Sequence, residues 1–216
     1  FQAPYDSKVW ESIKRKGGLL GAKLAMDEFA MGSYSNTSYL GRTSIPRFPS
    51  HTAGGSSGGS GAALSADLVD FTTGSDTGGS VRLPAAFCSL YGYKPTYGAF
   101  SRYGMIAYAS SLDQAGLLTH SIEDLQYLLA SGLAEKDHRD MTSIGLNEVE
   151  GRKKAKLKIG FFPEFLENMS IDENTRNAYQ KLINELKEKA TLFPVSIDYM
   201  SNAAQVYYIL ATSEAS

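Results

Sequence analysis

The chain has 216 residues, 43% hydrophobic and 20% charged, which is enough apolar text for one sizeable core. Its 21 Lys and Arg stand against 23 Asp and Glu, a formal net charge of -2, and that near balance argues against a surface built to grip phosphate backbones or anionic lipid. No apolar run approaches the ~18 residues of a membrane span, so no membrane partner is expected.

In chain order, Val9, Trp10 and Ile13 recur at helical spacing and stop at Gly17-Gly18, after which Leu19–Met26 reads as a buried strand or its continuation. Residues 27–52 are rich in Ser, Asn, Gly and Pro and read as a long ordered loop, the kind of segment that often carries function. Between Gly54 and Ser80 lie eight of the chain's 21 glycines and six serines, yet the text "AALSADLVDFTTG" inside that stretch predicts a short helix followed by a strand. The glycines are therefore expected to bracket regular elements rather than form a linker. The lone Cys88, in "AAFCSLYGY", reads as a buried thiol.

Further on, Ser121 with Asp124 marks a helix start, with Ile122, Leu125, Leu128 and Leu129 on one face. "KLKIGFF" predicts a strand and Asp172 an N-cap. Ala178, Tyr179, Leu182, Ile183 and Leu186 then form an apolar stripe, and Phe193, Val195, Ile197 and Tyr199 alternate as a strand would. Strand, helix, strand argues for an α/β fold with a sheet covered by helices. The chain opens on Phe1 and ends in helical text at "ILATSEAS", and both ends are expected to be cuts through a longer protein.

Several chemistries find no support. There is no GxxxxGK[ST] string, and Gly59-Ser60-Gly61 meets Leu64 where a dinucleotide fingerprint needs glycine, so no cofactor is expected on this segment. His51, His120 and His138 lie far apart and Cys88 has no partner nearby, so no metal is expected either. Gly54-Gly55-Ser56-Ser57-Gly58 formally fits the GxSxG elbow of the α/β-hydrolases, with His120 or His138 as a conceivable base; "RFPSHTA" is a poor candidate for the strand that elbow requires. Asn36-Thr37-Ser38 and Asn168-Met169-Ser170 fit the glycosylation pattern, which carries no weight without secretion.

"GSDTGGSVR" stands where a strand ends and a tight turn begins. Gly78 and Gly79 let the main chain approach a bound carbonyl, and the amides around Ser80 are then free to meet a developing oxyanion. A serine hydroxyl there is a weak nucleophile until something takes its proton, and the motif contains no histidine. A second polar relay is required.

The segment "GGSSGGSGAALSADLVDFTTGSDTGGSVRLPAAFCSLYGYKPTYG" resembles the Gly/Ser-rich signature of the amidase signature family. The flanks "AMDEFAMGSYSNTS" and "SRYGMIAYASSLDQAGLLTHSIEDL", together with "YYILATSEAS", resemble its branch of amidase subunits in glutamine-dependent tRNA amidotransferases. The resemblance implies that residues 1–216 are part of a single amidase signature domain, a mixed β-sheet flanked by helices, truncated at both ends. It implies Ser80 as the acyl-ester nucleophile, Ser56 as a relay serine on a cis peptide bond, and an oxyanion hole from the amides of Thr77, Gly78, Gly79 and Ser80. Asp76 and Arg82 would hold the loop, and Ser57 would support the relay. Met31, Gly32 and Tyr208 are the implied substrate contacts, with Tyr207 as an alternative to Tyr208.

The family's third catalytic group is a lysine in an upstream strand motif that no part of this sequence matches. Lys8, Lys14, Lys16 and Lys23 stand in other contexts, and Lys94 matches a different family position. The implied activity is that of a ligase component: hydrolysis of glutamine to glutamate, supplying ammonia for conversion of Glu-tRNA(Gln) to Gln-tRNA(Gln). The implied partners are a B-type subunit, a small C-like subunit and, indirectly, tRNA, with ATP and Mg used by the B-type partner. Leu83 and "CSLYGY" depart from what the bacterial members of that branch lead one to expect, which favours the mitochondrial matrix over a bacterial cytoplasm. A free-standing amidase for another amide is one alternative; a non-catalytic scaffold subunit is the other.

Overall fold

The computed structural model describes residues 3–146, 157–167 and 170–216. The Asn168 glycosylation pattern and the Phe1 terminus lie outside the described residues. The chain divides into two compact units, one of residues 1–147 and 206–216 and one of residues 148–205.

In the first unit, helix α1 (Lys8–Arg15) starts at Ser7, whose side chain accepts from the Trp10 N–H at 3.2 Å. It ends where Gly17, at φ +87°, turns the chain back, with Gly18 N–H donating to the Ile13 carbonyl. Leu19–Met26 is not a strand: it forms no ladder with a neighbour, making only a single backbone bond from Gly59 N–H to the Ala25 carbonyl, and Leu19 is 93% exposed. Its apolar text lacked a partner ladder, without which a strand leaves its peptide groups unpaired. Residues 27–52 contain more regular structure than expected, a 3-10 turn at Glu28–Ala30 and an antiparallel hairpin of β1 (Ser44–Ile45) and β2 (Phe48–Thr52).

Helix α2 (Gly58–Ser65) begins inside the glycine run rather than after it. Close packing explains this, because a Cβ on Gly58 would collide with the Ser35 hydroxyl and one on Gly59 with the Ala25 carbonyl. Strand β3 (Thr72–Asp76), helix α3 (Arg82–Phe87), strand β4 (Tyr91–Tyr93) and strand β5 (Gln114–Thr119) follow, forming an antiparallel sheet in the order β3-β5-β4. Helix α4 (Ile122–Ala130) starts on Ser121, which accepts from Asp124 N–H at 3.0 Å.

Every residue of β5 is buried. Because successive side chains point to opposite faces, Leu117 joins Val9, Ile13, Phe100 and Leu125 on one side, while Leu118 joins Leu64, Val81 and Ala85 on the other. Full burial of each leucine stabilises the fold by roughly 1.5–3 kcal/mol. Gln114, also fully buried, is satisfied by accepting from Gly98 N–H and donating to the Phe100 carbonyl. Cys88 is buried, and burial pushes its thiol up.

Arg139 ties α1 to the 137–142 loop: it donates to both Glu11 carboxylate oxygens and to Asp137, and lies 3.9 Å over the Tyr103 ring. The hydrogen bonds from Arg139, opposed by burial, bring Asp137 down to about 2. A depressed carboxylate stabilises the fold fully above its ordinary value of ~3.9 and loses that contribution as pH falls through the folded value. Acid titration followed by circular dichroism is therefore expected to show stability falling between pH ~4 and ~2, and Asp137→Asn should flatten that part of the curve.

The second unit pairs β6 (Lys158–Phe161) with a parallel strand, and between them run α5 (Glu164–Glu167) and α6 (Glu173–Lys189). Asp172 caps α6 by accepting from Thr175 N–H. The partner strand, β7, covers Thr191–Pro194 only. The alternation through Ile197 and Tyr199 does not continue it: the last bond to β6 runs from Val195 N–H to the Phe161 carbonyl, and Tyr199 takes φ +63°. Helix α7 (Ala203–Ala215) returns the chain to the first unit. Antiparallel and parallel pairs with helices make this a mixed α/β fold, as the sequence suggests. Among the described residues no helix is long and apolar enough to cross a membrane.

Candidate active site

Strand β3 ends at Asp76, and residues 77–81 turn back before α3 begins. Asp76 organises that turn. Its buried carboxylate accepts from the N–H groups of Gly79 (2.7 Å), Val81 (3.1 Å) and Arg82 (3.3 Å), and from Arg82 Nε and Nη2 at 3.0 and 2.9 Å. Burial pushes the Asp76 carboxyl up, but the hydrogen bonds and charge of Arg82 and the two amides outweigh it and hold the group below the usual carboxylate range.

Of the four amides expected to face an oxyanion, Thr77, Gly78 and Ser80 have no acceptor among the described residues, whereas Gly79 is committed to Asp76. Gly79 contributes conformation instead. Its φ of +128° lies in the region open to glycine, and a Cβ there would meet nothing within 4 Å. Thr77 is anchored sideways, its hydroxyl donating to Asp113 at 2.6 Å. Asp113 also accepts from Tyr108 and Ala109 N–H at 2.7 and 3.0 Å.

Ser56 lies at the other side of this turn. The Gly55–Ser56 peptide bond is cis. Ser57 N–H donates to the Ser80 carbonyl at 3.1 Å, which places the two serine segments side by side, and Ser57 Oγ donates to Ser75 O at 3.3 Å. Ser80 is 9% exposed, at the edge of solvent. Ser56 is wholly buried, and its Oγ has no hydrogen-bond partner among the described residues. The two serine segments are thus neighbours in the fold, but the Ser56 hydroxyl is not bonded to that of Ser80.

Aromatic side chains close the turn from above. Tyr207 of α7 packs on Gly78 so tightly that a Cβ there would sit 2.8 Å from its Cε2. Burial, then the neighbouring Tyr108 hydroxyl, pushes Tyr207 up, so its ring carries a neutral O–H beside the turn. Tyr208, by contrast, is 64% exposed on the outer side of α7. Of the two tyrosines, the structure brings only Tyr207 to the site. Met31 is 43% exposed, and Gly32 packs directly on Asp27. Their loop reaches toward the site through Ala30, which packs against the buried cluster of Tyr108, Ala109 and Ala211, against which Tyr207 also packs.

None of the lysines weighed from the sequence meets Ser56: Lys8 pairs with Glu135, Lys14 with Asp6, and Lys94 Nζ donates to the Pro95 carbonyl. Strand β2 does precede the Gly54–Gly58 string and α2 does follow it, contrary to the sequence reading of "RFPSHTA". No histidine meets the Ser56 hydroxyl among the described residues: His120 lies with Asp67, and His138 is exposed on the 137–142 loop. Asp113 and Asp27 carry much of the architecture without any local motif to announce them.

A family model described as amidase matches residues 1–216. The chain belongs to the amidase family. Among curated amidase-family proteins, it is 44% identical to the A subunit of glutamyl-tRNA(Gln) amidotransferase from Acinetobacter baumannii and 43% identical to that from Archaeoglobus fulgidus, covered over 100% of its own length in both. It spans 45% and 46% of those relatives. The solved structure of the glutamyl-tRNA(Gln) amidotransferase A subunit from Thermotoga maritima matches all of this amidase-family chain at a TM-score of 0.90 and 36% identity, over 48% of that protein. Urea amidolyase of K. lactis matches 99% of the chain at a TM-score of 0.89 and 28% identity, over 13% of that enzyme.

Proposed function

We propose that the full-length protein is the glutamine-hydrolysing subunit of a tRNA-dependent amidotransferase. The observation that carries this reading is the buried Ser56 hydroxyl, without a partner among the described residues and set beside a turn whose three amides are uncommitted among them. A buried polar atom left unpaired is costly, and a base delivered to it would make it a relay. A lysine from the remainder of the polypeptide fits that place. It would accept a proton from Ser56 as Ser56 accepts one from Ser80, and the Ser80 oxygen would then attack the glutamine side-chain amide carbon. The amides of Thr77, Gly78 and Ser80 would take the charge of the tetrahedral oxygen, each donor contributing on the order of 10²–10³ in rate.

Return of the proton through Ser56 to the amide nitrogen lets ammonia leave, with a γ-glutamyl ester on Ser80. Water then attacks that ester by the same route and releases glutamate. The high identity to the amidotransferase A subunits supports ammonia transfer to partner chains, a B-type subunit and a small C-like subunit, where Glu-tRNA(Gln) is amidated with ATP and Mg. The near-neutral charge suits a protein that meets tRNA only indirectly.

The test is covalent capture. Full-length protein in its complex, treated with 6-diazo-5-oxo-norleucine, is expected to carry the label on Ser80 Oγ with loss of glutamine-dependent ammonia release. A label elsewhere, or turnover of other amides without turnover of glutamine, overturns the reading; the second result would favour a free-standing amidase.

A further inference from the structure

Asp27 is fully buried and the serine chemistry does not use it. Its Oδ2 accepts from Ser35 N–H at 3.0 Å, and its Oδ1 accepts from Thr37 N–H and the Thr37 hydroxyl at 3.1 and 2.8 Å. The carboxylate is also wedged between two glycines, since a Cβ on either Gly32 or Gly55 would collide with it. Gly55 opens the Ser56 turn, and Asp27 N–H donates to the Ser56 carbonyl at 3.0 Å. One residue thus touches the relay-serine turn and the 28–37 loop together.

That loop is held in an unfavourable shape. Phe29 and Ala30 take φ of +55° and +62° in succession, a left-handed pair without glycine. Such conformations persist where the surroundings over-determine them, and they gather at ligand-holding segments. The over-determination is visible on both flanks: Asp27 grips Ser35 and Thr37, and Ala30 packs against the Tyr108, Ala109 and Ala211 cluster that is also joined by Tyr207, the ring that lies on Gly78. The loop therefore spans from the relay serine to the oxyanion turn.

We propose that Asp27 is a positioning residue for the substrate: its carboxylate fixes the segment of Met31 and Gly32, the substrate contacts that the resemblance implies, against the Gly55–Ser56 turn and so sets how tightly the acyl part of the amide substrate is held. This rests on the functional reading above. The nucleophile turn itself hangs on Asp76 and Asp113, so loosening that segment leaves Ser80 in place.

Asp27→Asn in the full-length complex keeps the size but points an NH2 at one of the N–H donors. The KM for glutamine is expected to rise about tenfold, with kcat changed less than about threefold and Ser80 labelled by phenylmethanesulfonyl fluoride at the wild-type rate. Thr37→Val, which removes one of the bonds, should raise KM in the same direction by less, and it decides the matter alone if Asp27→Asn does not fold. An unchanged KM overturns the inference. So does a joint loss of kcat, KM and Ser80 labelling with a lowered melting temperature, which would make Asp27 a support of the fold only. A wild-type complex that hydrolyses no glutamine overturns the functional reading and this inference with it, an outcome read before any variant is compared.

Discussion

Ser80→Ala in the full-length complex is expected to lower glutamine hydrolysis by about four to six orders of magnitude. The alanine leaves the amides of Thr77, Gly78 and Ser80 and the Met31 and Gly32 segment in place, so a residual rate above uncatalysed hydrolysis is expected rather than none. Ser80 Oγ makes no hydrogen bond among the described residues, so the melting temperature should barely move. Ammonia release and thermal unfolding measured on one preparation separate lost chemistry from lost folding. A variant within tenfold of wild type would mean that another group attacks the amide.

Ser56→Ala is expected to cost about two to four orders of magnitude, the range of a positioned proton carrier. Glutamine KM should stay near wild type, because the hydroxyl moves a proton and its loss leaves the Met31 and Gly32 segment intact. Since the two serines act as a unit, the double variant Ser56→Ala with Ser80→Ala should be no slower than Ser80→Ala alone. His120→Ala and His138→Ala should remain within about twofold, as expected of surface substitutions away from the chemistry. A crippled His120 variant would revive the α/β-hydrolase elbow, whose strand-turn-helix frame is present in β2 and α2.

Local text made some of this legible and hid the rest. Ser7, Ser121 and Asp172 announce helix starts because a side-chain cap is a contact within four residues. The turn at 77–81 was legible for a similar reason, as "GSDTGGS" both ends a strand and forces close main-chain approach. The β1–β2 hairpin was not, since Pro46, Pro49 and Ser50 are poor strand residues and the pairing is set by packing rather than propensity. Leu19–Met26 failed in the opposite direction, with strand-like residues and no ladder to join. The commitment of Gly79 N–H to Asp76 needed coordinates, because a glycine in a motif does not say where its amide points. Asp113 acts on Thr77 from 36 positions away, a distance at which no spacing rule operates. Tyr207 and Tyr208 are adjacent, and only the rotation of α7 tells them apart.

Strand β5 carries a consequence of its own. Its register sets Gln114 opposite Asp76, so the residue that begins β5 faces the residue that ends β3, one step from the reactive turn. Leu117 and Leu118 are adjacent on that strand and serve opposite interiors. Inserting or deleting a single residue ahead of them would exchange the two leucines and drag Asp113 off Thr77 in the same movement. Tolerance of lengthened or shortened text should therefore vanish between 113 and 118, and drift in either oily layer would register in turnover before it registered in solubility.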